Sequence, residues 1–326
     1  MTVSLALRNH PRISTATRLR VQRAAAALGY RPDPQIAKLM HHLRVRRKPG
    51  YQASIGALTT VPVGEENSYT REIINQAHRR AEELGYGFSL FRYANTLGTQ
   101  PALQRMLRTR GVEGLLLLPV VTPRSVAEMI DWSIFSVVTT TYGVLAPQFH
   151  RVVPHQFGNA LRICERLASG GYRRIGLVLP AEHDLRVHHG FSAAVAWQNL
   201  FGGTDFIRPL IHPGLQPVEN DLARWFKREQ PDVIIAAGDK ECRFIAQRLE
   251  LRVPGRVGFI SATKAGWSIF AGIEEQPGEI GVTAIEQVAG MIQRGEKGVP
   301  EVPKVTMIDG RWIDGRSARK PGRSIS

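Results

Sequence analysis

From residue 53 onward, short apolar runs alternate with helix-length segments along the chain. Residues 115–118 and 233–236 are the clearest runs, because they are apolar at every position, as in strands covered on both faces. Alternation of strands and helices predicts parallel sheets joined by right-handed crossovers, and hence an α/β architecture. We predict strands at residues 53–58, 87–93, 113–119, 135–141, 174–180, 206–212, 232–238 and 256–262, and helices that include residues 69–84, 157–169, 218–229 and 279–294.

A short internal repeat divides this α/β region into two halves. The run SIGAL at residues 54–58 is followed, 120 residues later, by the similar run RIGLV at residues 174–178. Two similar halves predict two subdomains with a cleft between them. In open α/β sheets ligands bind beyond the carboxyl ends of the strands, so we expect the cleft to be the ligand site.

The positive charge of the chain is concentrated at its ends. The net charge is +15, and residues 1–50 contain 11 basic residues against 1 acidic residue. Residues 311–326 contain 5 basic residues against 1 acidic residue, so the long middle of the chain is nearly neutral. A basic end on a neutral core is typical of a head that binds a polyanion, and a solvated basic arm is the alternative. The basic C-terminal tail is open to the same two interpretations.

The first fifty residues have a helical pattern that differs from the core. Ser14 or Thr15 can cap a helix that runs to Leu28, and Gly29 suits the position just after its C-cap. Residues 30–34 interrupt the helical pattern. Residues 35–43 predict another short helix, and residues 44–50 are typical of a basic linker. This end is therefore a small all-helical segment ahead of the α/β core.

The order of residues in this segment resembles the end of the helix-turn-helix domain of the LacI/GalR family. The resemblance is carried by TVSLALRN at residues 2–9, by residues 13–14, 17–18, 20–21 and 24–25, and by LGYRP at residues 28–32. In the core, GGYRRIG at 170–176, AAGD at 236–239, Gly190-Phe191 and Gly281 also resemble family positions. The resemblance implies two Rossmann-like subdomains of the periplasmic-binding-protein-like type I, preceded by a partial helix-turn-helix head and a hinge.

The family resemblance also implies which residues contact DNA. The helix around Thr2 would be the back half of a recognition helix in the major groove, and Ser14 and Thr17 would hold backbone phosphate at a helix N-terminus. Leu39 would wedge into the minor groove from a hinge helix, although an ordinary apolar helix residue is the alternative. The implied DNA-binding residues are Thr2, Ser4, Arg8, Asn9, Ser14, Thr17, Tyr30 and Leu39.

The domain boundaries follow from the same comparison. We expect a partial head at residues 1–30, a hinge helix and linker at 31–50, and an effector-binding and dimerisation core at 51–326. Within the core, one subdomain is expected at about 51–152 plus 278–302 and the other at about 153–277 plus 303–326. A three-helix head needs a first helix, and a domain that small cannot spare a third of its core. We therefore expect the natural start to lie upstream, with a truncated product as the alternative.

The effector-binding residues are expected where strands end and helices begin. Asp239 follows a buried strand and can accept hydroxyl hydrogen bonds, although it could also cap the helix that follows. Val187 stands where many family members carry arginine, and Arg186 beside it could bind the ligand or lie on the surface. Tyr69 could stack on a sugar ring or pack on the core. The expected effector-binding residues are Asn67, Ser68, Tyr69, Thr140, Arg186, Asp239 and Trp267.

Several classes of function are disfavoured by missing motifs. The sequence has no phosphate-binding glycine loop and no nucleophile elbow, and Cys164 and Cys242 have no zinc-like neighbours. We therefore expect no catalytic residues, no metal and no cofactor. We also expect no membrane segment and no signal peptide, and hence a cytoplasmic protein.

The residues and the resemblance together favour a ligand-responsive DNA-binding regulator. We expect a repressor that binds a palindromic operator in double-stranded DNA as a homodimer and takes a sugar or sugar derivative as its effector. The alternative is a cytoplasmic small-molecule-binding module with a vestigial, non-functional head. An enzyme on the same scaffold is a third hypothesis, since fold does not fix function.

Overall fold

The structure of the chain is a computed structural model that describes residues 6, 13–27, 53–62, 64–93, 100–120, 123–214, 216–264 and 268–319. The strands are β1 (Ser54–Thr59), β2 (Gly87–Arg92), β3 (Val112–Leu117), β4 (Arg124–Ser125), β5 (Ser136–Thr139), β6 (Val144–Ala146), β7 (His150–Pro154), β8 (Ile175–Pro180), β9 (Leu210–His212), β10 (Val233–Ala236), β11 (Gly258–Ser261), β12 (Ala271–Glu274), β13 (Val305–Ile308) and β14 (Arg311–Ile313). The α-helices are α1 (Thr15–Ala27), α2 (Ser68–Glu83), α3 (Gln100–Thr109), α4 (Gln156–Ser169), α5 (Ala181–Arg186), α6 (Gly190–Phe201), α7 (Glu219–Glu229), α8 (Asp239–Arg248) and α9 (Pro277–Arg294), and Trp132–Ile134 form a 3₁₀ turn.

The chain divides into two compact units. The first contains Met1–Val153 and Gly278–Thr306, and the second contains Pro154–Pro277 and Met307–Ser326. The chain therefore passes from one unit to the other three times. Each unit has its own six-stranded sheet.

The first sheet has the strand order β13-β7-β5-β3-β1-β2. Strand β1 pairs in parallel with β2 and β3, and β3 pairs in parallel with β5. Leu115, Leu116 and Val137 are fully buried, as expected for strands whose two faces are covered by helices. The carboxyl ends of these parallel strands lie at one edge of the sheet, which is where the fold places a ligand.

The second sheet has the strand order β14-β12-β11-β10-β8-β9. Strands β8 to β12 pair in parallel, and β14 joins β12 in the antiparallel direction. Strand β8 therefore has the same position in this sheet as β1 has in the first. The repeat seen in the sequence at residues 54–58 and 174–178 corresponds to these two equivalent strands.

The predicted fold class is confirmed, since both sheets are largely parallel and flanked by helices. Each of the eight predicted strands overlaps an observed strand, and their ends differ by at most four residues. The prediction missed six strands, which are β4, β6, β7, β12, β13 and β14. Strand β7 contains the polar His150 and Arg151 in place of a continuous apolar run, and the other five are only two to four residues long.

Helices α2 and α9 of the first unit approach closely at a glycine. A Cβ atom at Gly281 would lie 2.5 Å from the carbonyl oxygen of Ile73 and 3.2 Å from the amide nitrogen of Ala77. Both are backbone atoms of α2, which cannot rotate away as a side chain can. The position therefore requires glycine.

Among the described residues, none of the helices has both the length and the apolar character that crossing a membrane requires.

Candidate functional site

Helix α1 begins at a serine whose hydroxyl caps it. The Ser14 Oγ accepts a hydrogen bond from the Thr17 backbone N–H at 3.3 Å and donates to Thr17 Oγ1 at 2.9 Å. Ser14 is one of the two caps that the sequence predicted, and it is exposed. The helix carries arginines and no acidic residue, and none of its residues is buried. This helix start is therefore an exposed and positively charged N-terminus, which suits an anion.

Most of the other predicted DNA contacts cannot be placed. Thr2, Ser4, Arg8, Asn9, Tyr30 and Leu39 lie outside the described residues. Their roles stay predictions.

The first unit contains a cavity of about 430 Å³ beyond the carboxyl ends of β1 and β3. Thr59 and Thr60 line it from the end of β1, and Tyr93 lines it from the end of β2. Its opposite wall includes Arg124 and Glu128. The volume lies in the range of small-molecule pockets, about 300–1,000 Å³. The lining is mainly apolar, and Thr60, Ser125 and Glu128 add hydroxyl and carboxylate groups that can hydrogen-bond a polyhydroxylated ligand.

The predicted effector residues of the first unit have structural roles as well. The Asn67 side chain caps α2 by accepting from the Thr70 N–H at 2.8 Å, and Ser68 begins that helix. Tyr69 is half-buried in its first turn. Thr140 is buried and its hydroxyl donates to the Leu117 carbonyl oxygen at 3.1 Å. None of these four residues lines the 430 Å³ cavity.

The second unit contains a buried polar pair that follows β7 and β12. The Gln156 Nε2 group donates to Glu275 Oε1 at 2.6 Å, and both residues are more than nine-tenths buried. Burial raises the pKa of the Glu275 carboxyl to about 7, although the Gln156 hydrogen bond and the charge of Arg186 lower it. The Gln156 Oε1 atom is buried and has no hydrogen-bond partner within the described part of the chain.

Arg186, whose charge acts on Glu275, also contacts a histidine on helix α5. The Arg186 Nη2 atom lies 3.3 Å from His183 Nδ1. Burial and the nearby arginine charge lower the pKa of His183 to about 4, so its ring is neutral near pH 7. The His183 Nε2 atom is buried without a hydrogen-bond partner among the described residues. Arg186 is half-exposed.

Asp239 lies at the carboxyl end of β10, where it begins helix α8. The N-cap of that helix is Gly238, so Asp239 does not act as the cap. Its Oδ1 atom is buried and has no hydrogen-bond partner in the described residues. A carboxylate oxygen buried without a donor is costly, and a ligand hydroxyl could supply the missing hydrogen bond. Trp267, the remaining predicted effector residue, lies outside the described residues.

These residues share one edge of the second sheet. His183 follows β8, Asp239 follows β10 and Glu275 follows β12, and these strands belong to the parallel part of the sheet. Carboxyl ends of parallel strands meet at a common edge. Unsatisfied acceptors therefore lie at the same edge as a half-exposed cation. This combination can bind a ligand that both donates and accepts hydrogen bonds.

Sequence reasoning pointed to Asp239 and Arg186 but missed Glu275, His183 and the lining residues Tyr93, Arg124 and Glu128. Glu275 could have been found only from its position directly after a strand, and that strand was itself missed. The two polar residues of the Gln156–Glu275 pair are 119 residues apart, so no local pattern joins them.

Comparisons with known proteins concern the N-terminal segment and the fold. Residues 1–33 match the family model of bacterial regulatory proteins of the lacI family. No curated protein matches the chain. The match at residues 1–33 therefore confirms the family resemblance that was predicted from the sequence.

Solved structures of lacI-family regulators have the same fold. A lacI-family transcriptional regulator from Rhizobium etli has 17% identity and a TM-score of 0.62, over 82% of this chain and 99% of that one. The Lac repressor bound to ONPG has 15% identity and a TM-score of 0.59, over 97% and 95%. A lacI-family regulator from Enterococcus faecium with bound ribose has 15% identity and a TM-score of 0.57, over 83% and 100%.

Proposed function

We propose that this chain, whose N-terminal segment and fold are those of the lacI family, is a ligand-responsive, DNA-binding transcription regulator that acts as a repressor. The observation that carries the proposal is the family match at residues 1–33, where α1 presents an exposed, Ser14-capped and basic N-terminus. In this proposal the protein works as a homodimer in the cytoplasm, where its DNA lies, and binds a palindromic operator.

One set of DNA contacts lies at the start of α1. Ser14 and Thr17 hold a backbone phosphate there, because hydroxyls and free backbone N–H groups point at an anion bound at a helix N-terminus. Arg18, Arg20 and Arg23 of the same helix add positive charge close to the phosphates. Thr2, Ser4, Arg8, Asn9, Tyr30 and Leu39 complete the predicted DNA contacts.

The effector is a small sugar or sugar derivative. The Enterococcus faecium regulator, which has the same fold, holds ribose. In this chain the unsatisfied Asp239 Oδ1 and Gln156 Oε1 atoms accept ligand hydroxyls, and Arg186 donates. On the first unit, the lining of the 430 Å³ cavity is available to a hydroxylated ligand, together with the predicted Asn67, Ser68, Tyr69 and Thr140.

The effector controls DNA binding through differential affinity. A ligand that binds one conformation of the core more tightly shifts the population toward it, and the DNA affinity changes by the same coupling factor. A coupling of about 1–3 kcal/mol would change the operator affinity by about 5–150-fold. No catalytic step is part of this proposal.

The proposal is tested by selecting duplexes from a random DNA pool with the full chain. We expect the recovered sequences to share a palindromic element. We also expect the logarithm of the binding constant to fall linearly with the logarithm of salt concentration, because phosphate contacts release counterions. Recovery of unrelated sequences, with the same weak affinity as the starting pool, would instead leave a small-molecule-binding module without operator recognition.

A further inference from the structure

The cavity of the first unit is bounded by the hydrophobic core of that unit. Five of the buried residues that line it belong to one core cluster, and Tyr93 packs against the same cluster. The five are Leu58, Leu117, Val126, Met129 and Val144. Protein interiors are close-packed and contain few voids larger than a water molecule. A volume of about 430 Å³ against core residues is therefore a place for a ligand and no ordinary packing defect.

One rim of this cavity is exposed and polar. Ser125, Ala127 and Glu128 all line the cavity, and all three are exposed on the segment that begins in β4. The Ser125 hydroxyl already donates to the Ala146 carbonyl oxygen at 3.3 Å. Glu128 is therefore the strongest hydrogen-bond acceptor that this rim offers to a ligand. A ligand in the cavity meets apolar side chains on the core side and a carboxylate at the rim.

A free sugar matches this lining poorly. It carries hydroxyl groups around the whole ring, and those that face the core side would lose hydrogen bonds to water without gaining protein partners, which is costly. An apolar ring with a hydroxyl group at one end avoids that cost. Since an apolar cavity of about 150 Å³ binds benzene, a larger cavity of the same character can hold a substituted ring.

Two side chains of the wall favour an aromatic ring over a saturated one. Tyr93 is half-buried in the lining, and aromatic rings pack favourably against each other in offset or edge-to-face arrangements. Met129 is buried in the same lining, and a methionine sulfur makes favourable contacts with aromatic rings. Both contacts distinguish an aromatic ligand from a saturated ring of the same size.

We propose that the first-unit cavity binds a monocyclic aromatic ligand that carries a hydroxyl group, with its ring against Tyr93 and Met129 and its hydroxyl on Glu128. All the residues that line the cavity belong to the first unit, so this site is separate from the polar edge of the second sheet. The inference rests on the proposed function only for what the ligand does to DNA binding, because binding in the cavity requires neither DNA nor a sugar.

The first test is calorimetric titration of the full chain with phenol, catechol, 4-nitrophenol and methyl 4-hydroxybenzoate. We expect at least one of the four to bind with a Kd below about 1 mM and to raise the Tm. For that compound, the analogue without the hydroxyl group and the analogue with a saturated ring should each bind at least about tenfold more weakly. Absence of binding by all four compounds up to their solubility limits would overturn the proposal.

The second test places the ligand in the cavity. Ala127→Trp fills the rim with a bulky side chain, and Ala102→Trp is the matched control, because both alanines are exposed in the first unit and only Ala127 lines the cavity. We expect the first variant to lose at least about tenfold in affinity for the aromatic ligand and the second to keep it. The same affinity in both variants would place the ligand elsewhere and contradict the proposal.

The third test examines the hydroxyl contact and the independence of the site. Glu128→Gln should weaken the hydroxylated ligand at least about fivefold and leave the analogue without the hydroxyl group unchanged, whereas Glu301→Gln, at an exposed glutamate of the first unit, should change neither. Asp239→Asn in the second unit should leave this affinity within about twofold, and a parallel loss would overturn the separate site. These measurements involve no DNA, so their failure leaves the duplex selection to decide the proposed function separately.

Discussion

The Gln156 Nε2 group donates to Glu275 Oε1 at 2.6 Å, and both residues of this pair are buried in the second unit. Burial is the largest influence on the carboxyl and raises its pKa from about 4.5 to about 7. The carboxyl is therefore neutral in mildly acidic solution and a buried anion in alkaline solution. The charge at the polar edge of the second sheet therefore depends on pH.

Glu275 is expected to make stability depend on pH in a defined window. Because the folded state binds its proton more tightly than the unfolded state, the carboxyl destabilises the fold progressively from about pH 4.5 to about pH 7. Glu275→Gln imitates the neutral form. We expect the variant to match the wild type near pH 4 and to exceed its free energy of unfolding by up to about 3 kcal/mol above pH 7.

Chemical denaturation of both proteins across this range measures the difference directly. His183 acts in the opposite direction, because its folded pKa of about 4 makes stability rise between about pH 4 and pH 6.5. The wild-type profile is therefore shallow there, and only the difference between the two proteins isolates Glu275. A difference that stays constant from pH 4 to pH 8 would contradict the buried neutral carboxyl.

Asp239→Asn is expected to weaken effector binding while leaving the fold intact. The Oδ1 atom lacks a hydrogen-bond partner among the described residues, so the substitution breaks no hydrogen bond at that atom of the unliganded protein, whereas a bound hydroxyl would lose a charged acceptor. We expect at least a tenfold loss of affinity, about 1.4 kcal/mol, for the sugar that most raises the Tm in a panel of mono- and disaccharides.

The matched control for this substitution is Asp221→Asn, which lies in the first turn of α7 and pairs with Arg224 on the surface. It changes the charge at a comparable helix start without changing the candidate site. Equal sugar affinity in the Asp239→Asn variant and this control would exclude Asp239 from the effector site.

Gly281→Ala is expected to destabilise the first unit. The new Cβ atom would press on backbone atoms of α2, and forcing such a contact costs roughly 1–3 kcal/mol. Gly290→Ala lies in the same helix, but its Cβ atom would meet only the end of the Arg294 side chain, at 3.0 Å. That control should gain up to about 1 kcal/mol from helix propensity. Similar midpoints of denaturation for the two variants would contradict the close packing of α2 and α9.

Ser14→Asp separates the helix cap from the phosphate contact. Aspartate caps a helix as well as serine does, so α1 should persist in the circular dichroism spectrum. The new charge would repel a phosphate at that position, and we expect the affinity for a selected duplex to fall at least tenfold at low salt. Thr15→Asp is a nearby control that adds the same charge one residue along, where the Thr15 side chain accepts a hydrogen bond from Arg18 at 3.4 Å. Unchanged affinity in Ser14→Asp would remove Ser14 from the DNA contact.

The sequence predicted those strands that are marked by a continuous run of apolar residues. Strands such as β3 and β10 are apolar at almost every position, and the strand repeat correctly indicated two similar sheets. Strand β7 was hidden because its polar residues are satisfied by distant groups. The His150 Nδ1 atom accepts from the Lys304 N–H at 2.9 Å, and Arg151 lies over the Tyr142 ring, 5.5 Å from its centroid.

The same distinction applies to the candidate site. The position of Asp239 could be read from the sequence because it follows a buried strand. The Gln156–Glu275 pair could not, because it depends on two chain segments that meet only in the folded unit. Thr140 has a hydroxyl that could bind a ligand, yet this hydroxyl donates a hydrogen bond to the Leu117 carbonyl oxygen of the sheet backbone. The packing of the folded chain decides which polar side chains already have hydrogen-bond partners, and the sequence does not show this.

Operator recognition and its control by a sugar are both measured by titrating a selected duplex with the full chain, with and without the sugar that raises its Tm. We expect the selected duplex to bind at least about a thousandfold more tightly than a random duplex, and the sugar to change this affinity at least fivefold. Equal affinity for both duplexes, unaffected by the sugar, would contradict the regulator and leave a sugar-binding module.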